Sequence, residues 1–345
     1  MRDRLFSARG PAGFLRPVGA AWGAVTAFRA GLYAGGFFKT VKVERPVVSV
    51  GNLSVGGSRK TPMCAWLANA LNDLGLKTAI LSRGYGRKKN FFLKEPVLVS
   101  AGSGPLVQPE VSGDEPYLLA GLTGSMVLVC SRRVRAALEA QRLGADILIL
   151  DDGFQHLALH RDVNILMLAG RFPLGNGRVL PAGPLRENLS AGCRAHLLVA
   201  DRNSGSVNPW SLPVFKASLK LRGLKFLHSE SRLPVEAVKS RRMAAFSGLA
   251  RPGDFKNTLL SWGLNPVVFQ SWPDHTAYDR TILKGLTELY LNSRADYLLT
   301  TAKDAVKLSG LSWPTLVLET ELEPEEPDKL LGAVLGRLKD QGYKF

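Results

Sequence analysis

Through most of the first 200 residues, short aliphatic runs alternate with segments whose apolar residues recur every three to four positions. Pro46–Gly51 is one such run. Ten mostly polar, glycine-rich positions follow it, and then Cys64, Trp66, Leu67, Ala70, Leu71 and Leu74 come at helical spacing, so strand, turn and helix are predicted in that order. Ala145–Leu150 is another apolar run, and it ends in two acids, Asp151 and Asp152. Repetition of this unit from Val47 to Leu198 predicts a parallel sheet with helices on both faces. From Leu212 to Arg242 the pattern becomes alternating and basic, as in Phe215-Lys-Ala-Ser-Leu-Lys-Leu221, and predicts a ribbon-like linker. A further strand, Met243–Phe246, then opens a smaller α/β domain that ends in a helix over Lys329–Lys339. The expected division is an N-terminal segment over 1–40, a core over 41–211, a linker over 212–242 and a second domain over 243–345.

The N-terminal segment fits neither a spanning helix nor a secretory signal. Phe14–Phe38 is apolar and rich in Gly and Ala, but Arg16 and Arg29 interrupt it, and Arg2, Arg4, Arg9, Lys39 and Lys42 flank it. No unbroken apolar stretch of about 18 residues remains. The expectation is an amphipathic helix in a membrane interface, with Phe14, Leu15, Trp22, Phe28, Leu32 and Tyr33 in the acyl boundary and the basic residues on anionic headgroups. The same pattern also suits a helix docked on the protein's own core.

Charge bears on the choice of partner. The 345 residues carry 45 Lys and Arg against 29 Asp and Glu, a net charge of +16, which favours a polyanionic partner or a phosphorylated substrate. Three widely spaced cysteines with no C-x-x-C pattern suggest neither a disulfide framework nor a zinc site and suit a reducing compartment. No nucleic-acid motif accompanies the charge, so nucleic acid is not the expected partner.

The turn after the first strand carries the strongest chemical signal. Ser54, Val55, Gly56, Gly57, Ser58, Arg59, Lys60 and Thr61 lie between a strand and a helix, where backbone N–H groups and a helix N-terminus can cradle phosphate. Lys60 is placed to reach the terminal phosphates of ATP, and Thr61 to meet Mg²⁺. Ser54 stands at the first glycine position of G-x-x-x-x-G-K-[ST], and Arg59 directly before the lysine. A non-glycine residue held at positive φ there costs about 1–2 kcal/mol. The fold class predicted is thus α/β, a P-loop NTPase-like sheet domain joined by a β-ribbon to a smaller α/β domain.

An acid at the end of an apolar strand delivers a carboxylate toward the metal, which makes Asp151 the leading metal-directed group. Asp152, Gln155 and His156 would line the same site. Asp114 and Glu115 open a predicted helix, Tyr117–Leu122. Helix capping explains one such acid, and the other reading is that Asp114 accepts the proton of an attacking hydroxyl while Glu115 faces the metal. Arg83 and Arg87, around Tyr85, form either a solvated basic turn or a hold on substrate phosphate.

These strings occur together with Leu81-Ser-Arg-Gly-Tyr-Gly-Arg87, Pro181-Ala-Gly-Pro-Leu-Arg-Glu187, Ala245-Phe-Ser-Gly-Leu249, Pro273-Asp-His275 and Thr300-Thr-Ala-Lys-Asp304. As a set, from about Ala20 to Leu308, they resemble the tetraacyldisaccharide 4′-kinase family, which phosphorylates the lipid A precursor on the cytosolic side of the bacterial inner membrane. The resemblance implies ATP and Mg²⁺, a glycolipid substrate, a peripheral location on that membrane face and no obligate protein partner. It implies roles for Lys60, Thr61 and Asp151 as above, for Asp114 as the base, for His275 as its partner from the second domain, and for Arg186 in the active site. Two positions depart from the family, which usually has glycine at Arg59 and commonly glutamate at Ala302. Closure of the second domain is expected to bring His275 to Asp114. The rival readings are a soluble P-loop kinase or ATPase and, from another class, a nucleic-acid-binding protein.

Overall fold

The structure is a computed structural model describing residues 15–86, 95–170, 172–202, 204 and 208–345; the expectations for Arg2, Arg4, Arg9, Phe14 and Arg87 fall outside these residues. Its strands in chain order are β1 (Val47–Gly51), β2 (Thr78–Ser82), β3 (Val97–Ala101), β4 (Met126–Val129), β5 (Ile147–Asp151), β6 (Val163–Leu168), β7 (Leu197–Asp201), β8 (Val214–Phe226), β9 (Arg232–Leu233), β10 (Met243–Ser247), β11 (Val268–Ser271), β12 (Tyr297–Thr301) and β13 (Thr315–Pro324). They form one continuous sheet in the order β11-β10-β12-β13-β8-β7-β6-β1-β5-β2-β4-β3, with β9 paired to β8. All neighbours are parallel except β8·β13, β3·β4 and β8·β9.

Both faces of the first lobe are covered, as purely apolar central strands require. The P-loop helix, Lys60–Asp73, buries Met63, Cys64, Leu67, Ala68 and Leu71 against Val48, Val50, Ile149 and Ile165. Helix Arg133–Arg142 lays Ala136, Ala137 and Ala140 on the other face, against Leu81, Leu148 and Leu150. Small side chains here let helix and sheet approach closely. In the second lobe β10 splits its residues between two clusters, Met243 and Ala245 on one side and Ala244 and Phe246 on the other.

The predicted linker, 212–242, contains the long strand β8, which runs antiparallel to β13 from Ala217 to Phe226, and after it β9 and a short helix, Val235–Lys239. The direction of the parallel strands therefore reverses across this pair. The terminal helix, Pro327–Asp340, returns to the first lobe, where Leu330, Val334 and Leu338 join the core of the P-loop helix. Residues 243–345 thus form a second lobe, up to β13, and a helix that completes the first.

The N-terminal helix, Arg16–Ala34, touches the body along a narrow face. Only Gly19 and Gly23 are fully buried in it, and Asn188 donates from Nδ2 to the Gly23 carbonyl at 3.0 Å. Val18, Trp22, Val25 and Phe28 stay exposed, Phe28 at 70%. Leu15, Leu32 and Tyr33, expected in an acyl boundary, are half-buried. No helix among the described residues is long and apolar enough to cross a membrane.

Candidate active site

β1 lies between β5 and β6, with Val50 in register with Asp151, so the turn after β1 and the acids at the end of β5 share one edge of the sheet. The P-loop is fixed from outside by the Pro181–Glu187 string. Val55 N donates to the Pro184 carbonyl at 2.8 Å, and Arg186 N to the Leu53 carbonyl at 2.7 Å. Lys60 is the first residue of its helix. Its Nζ donates to Asn52 Oδ1 at 3.2 Å and Ser58 Oγ at 3.0 Å, and lies 3.5 Å from Asp152. The lysine thus curls back over its own loop, as a phosphate-directed lysine must.

Arg59, the residue that replaces glycine, does adopt the left-handed conformation, at φ 59°. Its guanidinium is held by Asp201 at the end of β7, 2.7 Å away. A partner 142 positions along the chain therefore restrains the loop at its most strained point.

The two acids after β5 differ sharply. Asp151 is fully buried, with Ser82 Oγ donating to Oδ2 at 3.2 Å and the Cys64 thiol 3.7 Å from Oδ1. Burial, then the negative charges of Glu115 and Asp152, raise its pKa to about 7, against the pull of Lys60. Asp152 sits in a left-handed turn at φ 53° and is clamped by Arg186 Nη1, at 2.8 and 2.9 Å, and by Lys60. Burial opposes its ionisation, but Lys60 and Arg186 outweigh that and hold it at about 2. Asp152, expected as a substrate contact, therefore faces the P-loop lysine directly.

Gln155 links the same elements, accepting from Arg186 Nη1 at 3.3 Å and donating to the Asn52 carbonyl at 2.9 Å. His156 lies among Arg133, Arg161, Arg29 and Arg83; burial first, then those cations, lower its pKa to about 3, so it is neutral at pH 7. Arg83 is exposed at the rim of this basic region.

Asp114 opens the helix Asp114–Leu122 and meets His275 from the second lobe, Nδ1 to Oδ2 at 3.2 Å. The two are in contact in this structure. The reversal at β8·β13 turns the carboxyl edges of both parallel strand sets toward one another. His275 is left-handed at φ 59° and packs edge-on to Tyr85 at 4.7 Å between centroids. Burial raises the Asp114 pKa, but the His275 hydrogen bond and then Lys307, His275 and Lys303 prevail, and the net shift is downward.

Lys303 Nζ contacts Glu115 at 3.0 Å, Asp274 at 3.1 Å and His275 Nε2 at 3.4 Å. Glu115, expected to face the metal, is thus tied to the second lobe, although its charge still acts on Asp151. Asn52, Ser82, Asp201, Lys303 and Lys307 were not foreseen as site residues. Lys303 lies inside a string already distinctive in the sequence, and Lys307 follows it by one helical turn; the other three are polar residues at or just beyond strand ends.

Among the described residues no group of three or more His, Cys, Asp or Glu could hold a metal ion alone. Mg²⁺ is usually held by one or two protein oxygens together with substrate phosphates. The crowding of Asp151 by Glu115 and Asp152, which raises its pKa, is also what a divalent cation would relieve.

Fold and site together define a P-loop kinase of the α/β class, with a nucleotide loop on one lobe and an acid–histidine pair spanning both. The family model for tetraacyldisaccharide-1-P 4′-kinase matches residues 11–339. A tetraacyldisaccharide 4′-kinase of Geobacter metallireducens is 39% identical over 318 residues, covering 89% of this chain and 93% of its own. One of Desulfatibacillum aliphaticivorans is 40% identical over 335 residues, covering 91% and 89%. A crystal structure of LpxK from Aquifex aeolicus in complex with ATP superposes with a TM-score of 0.77 at 36% identity, covering 94% of this chain and 98% of that one. The chain belongs to the tetraacyldisaccharide 4′-kinase family.

Proposed function

We propose that this protein transfers the γ-phosphoryl group of ATP to the 4′-hydroxyl of a tetraacyldisaccharide 1-phosphate, a step of lipid A biosynthesis. The observation that carries the reading is the convergence of Lys60 and Arg186 on Asp152, with neighbouring Asp151 feeling the charge of Glu115, the residue next to the Asp114–His275 pair. Residues 54–61 would cradle the nucleotide phosphates. When the ligand binds, Lys60 exchanges its contacts with Asn52 and Ser58 for phosphate oxygens and remains beside Asp152. Thr61 and Asp151 would hold Mg²⁺, which supplies charge neutralisation on the phosphates. Arg186, already paired to Asp152, is placed to offset charge on the transferred group.

Asp114 is the base. As the sugar oxygen bonds to the γ-phosphorus and the bond from that phosphorus to the β,γ-bridging oxygen breaks, the hydroxyl proton passes to Asp114 and ADP departs. Phosphoryl transfer is loose at the transition state, so orientation of the hydroxyl contributes more than its full deprotonation. Arg83, Arg87 and His156 are assigned to the substrate, the two arginines to its phosphate.

The substrate is a glycolipid, and the exposed Trp22, Val25 and Phe28 beside Arg29 suit an anionic membrane surface, here the cytoplasmic face of the inner membrane. Purified protein with Mg²⁺ and ATP should add one phosphate to a detergent-dispersed disaccharide lipid that already carries one, read by mass, and Lys60→Ala should abolish it. Turnover of a water-soluble sugar with no lipid product would refute the reading in favour of a soluble kinase.

A further inference from the structure

The Thr300–Asp304 string and the turn after it have no role in the chemistry above, yet they reach into the cleft. Thr301 caps the short helix Ala302–Ala305, accepting from Asp304 N at 3.1 Å and donating to Asp304 Oδ2 at 2.8 Å. Asp304 is completely buried, and its Oδ2 also accepts from Gly248 N at 3.0 Å, in the string that follows β10. The carboxylate is thereby fixed by backbone and side chain of two second-lobe elements.

Lys307 Nζ stands between this anchor and the first lobe, 3.5 Å from Asp304 Oδ1 and 3.4 Å from Asp114 Oδ2. Its side chain is 11% exposed and lies over the ring of Tyr278 at 5.3 Å. Among the described residues, the hydrogen bond and both ion pairs of Asp114 all go to Oδ2, from His275 and Lys307. Oδ1 takes part in none of these contacts. Lys303, four residues earlier, holds the other side of the pair through Glu115, Asp274 and His275 Nε2.

We propose that Lys307 is a positioning residue for the phosphoryl transfer: anchored on buried Asp304, it fixes Asp114 Oδ2 so that Oδ1 alone is offered to the sugar hydroxyl. The proposal rests on the reading of Asp114 as base. A carboxylate free to rotate about its Cβ–Cγ bond would exchange its two oxygens, and a misplacement near 1 Å costs up to about 100-fold in rate. Lys307 adds an ion-pair contact to Oδ2 beside the His275 hydrogen bond, and Lys303 lies against the other ring nitrogen of His275.

The test is the series Lys307→Met, Lys307→Arg and Lys307→Gln with lipid disaccharide and ATP, each also in an Asp114→Asn background. Lys307→Met keeps volume against Tyr278 and should lower kcat about 10- to 100-fold while KM for ATP stays within about twofold; Lys307→Arg should recover part of the loss. In Asp114→Asn the same substitution should cost nothing further. A kcat for Lys307→Met within about twofold of wild type, or an undiminished loss in the Asp114→Asn background, overturns the proposal. Should Lys307→Met fail to fold, Lys307→Gln carries the same comparison. A wild-type protein inactive on the lipid would instead refute the proposed function. The link is then read by a urea-denaturation cycle of Lys307→Met with Asp114→Asn, where strict additivity excludes the contact as a restraint on Asp114 and non-additivity supports it.

Discussion

Arg59 offers a measurement in which two opposed effects sit on one residue. Replacing it by Ala removes the 2.7 Å ion pair with Asp201, which is 9% exposed, and leaves a Cβ in the left-handed region. A hydrogen bond between charged groups contributes about 1.5–3 kcal/mol. Arg59 itself is 23% exposed, so solvent screening places the expected loss at the lower end, about 1.5 kcal/mol. Replacement by Gly loses the same pair but relieves a steric cost of about 1–2 kcal/mol. Against that relief, Gly frees the unfolded chain by about 0.4–1 kcal/mol. The Gly variant should therefore be about 1 kcal/mol more stable than the Ala variant and close to wild type. Urea denaturation followed by fluorescence and circular dichroism would read the difference. Asp201→Asn should destabilise the wild type but change the Arg59→Gly protein much less. Equal stability of the Ala and Gly variants, or an undiminished Asp201→Asn cost in the Gly background, would refute the account of Arg59 as a strained residue held by a distant acid.

Three further outcomes follow from the site. Asp151 holds its proton up to about 7 when folded but only to the ordinary carboxylate range when unfolded, so its contribution to stability is present at pH 4 and is lost as pH rises through about 7; Asp151→Asn should match wild type near pH 4 and exceed it in melting temperature at pH 8, and parallel curves would sink the assignment. Gly113 has φ 89°, and a Cβ there would lie 2.5 Å from the Tyr85 carbonyl, so Gly113→Ala should cost more than about 1 kcal/mol and depress kcat by shifting both Asp114 and the Tyr85 ring that packs on His275. The reasoning fails if that variant keeps full turnover. Trp22→Ser with Phe28→Ser should reduce co-sedimentation with anionic liposomes at least tenfold, each large apolar side chain being worth about 1.5–3 kcal/mol when buried. Turnover of detergent-dispersed lipid should be unaffected, and unchanged sedimentation would favour a helix that serves only the protein's own core.

What the sequence reveals and what it hides divide along distance in the chain. The strand Val47–Gly51, the turn and the helix from Lys60 are adjacent, and each leaves its own periodicity, so the loop and its lysine are readable. The acid ending β5 is readable for the same reason. The opposite environments of Asp151 and Asp152 are not, because they arise from one residue entering a left-handed turn and from Arg186, 34 positions away. Arg59 shows its conformation by standing in a glycine position, but nothing local names Asp201. β13 escaped notice because Thr315–Pro324 mixes aliphatic and acidic residues, and those acids pair with the basic positions of β8, Glu321 with Arg222 and Glu323 with Lys220. The basic alternation that marked β8 as a linker is one half of this ladder. The pairing of His275 with Asp114 entered through the family resemblance alone, since 161 residues separate them.

Gly19 and Gly23 give the N-terminal helix a seat with no slack. A methyl group at Gly23 would come within 2.5 Å of Asn188, and one at Gly19 within 2.8 Å of Ala182; these two neighbours lie on either side of Arg186 in the chain. The exposed apolar side of this helix and the arginine paired with Asp152 are thus mounted on a common support. Natural variation in that helix is expected to be free on its outward side and frozen at the two glycines, where any added bulk would be felt as a displaced guanidinium rather than as a loosened anchor.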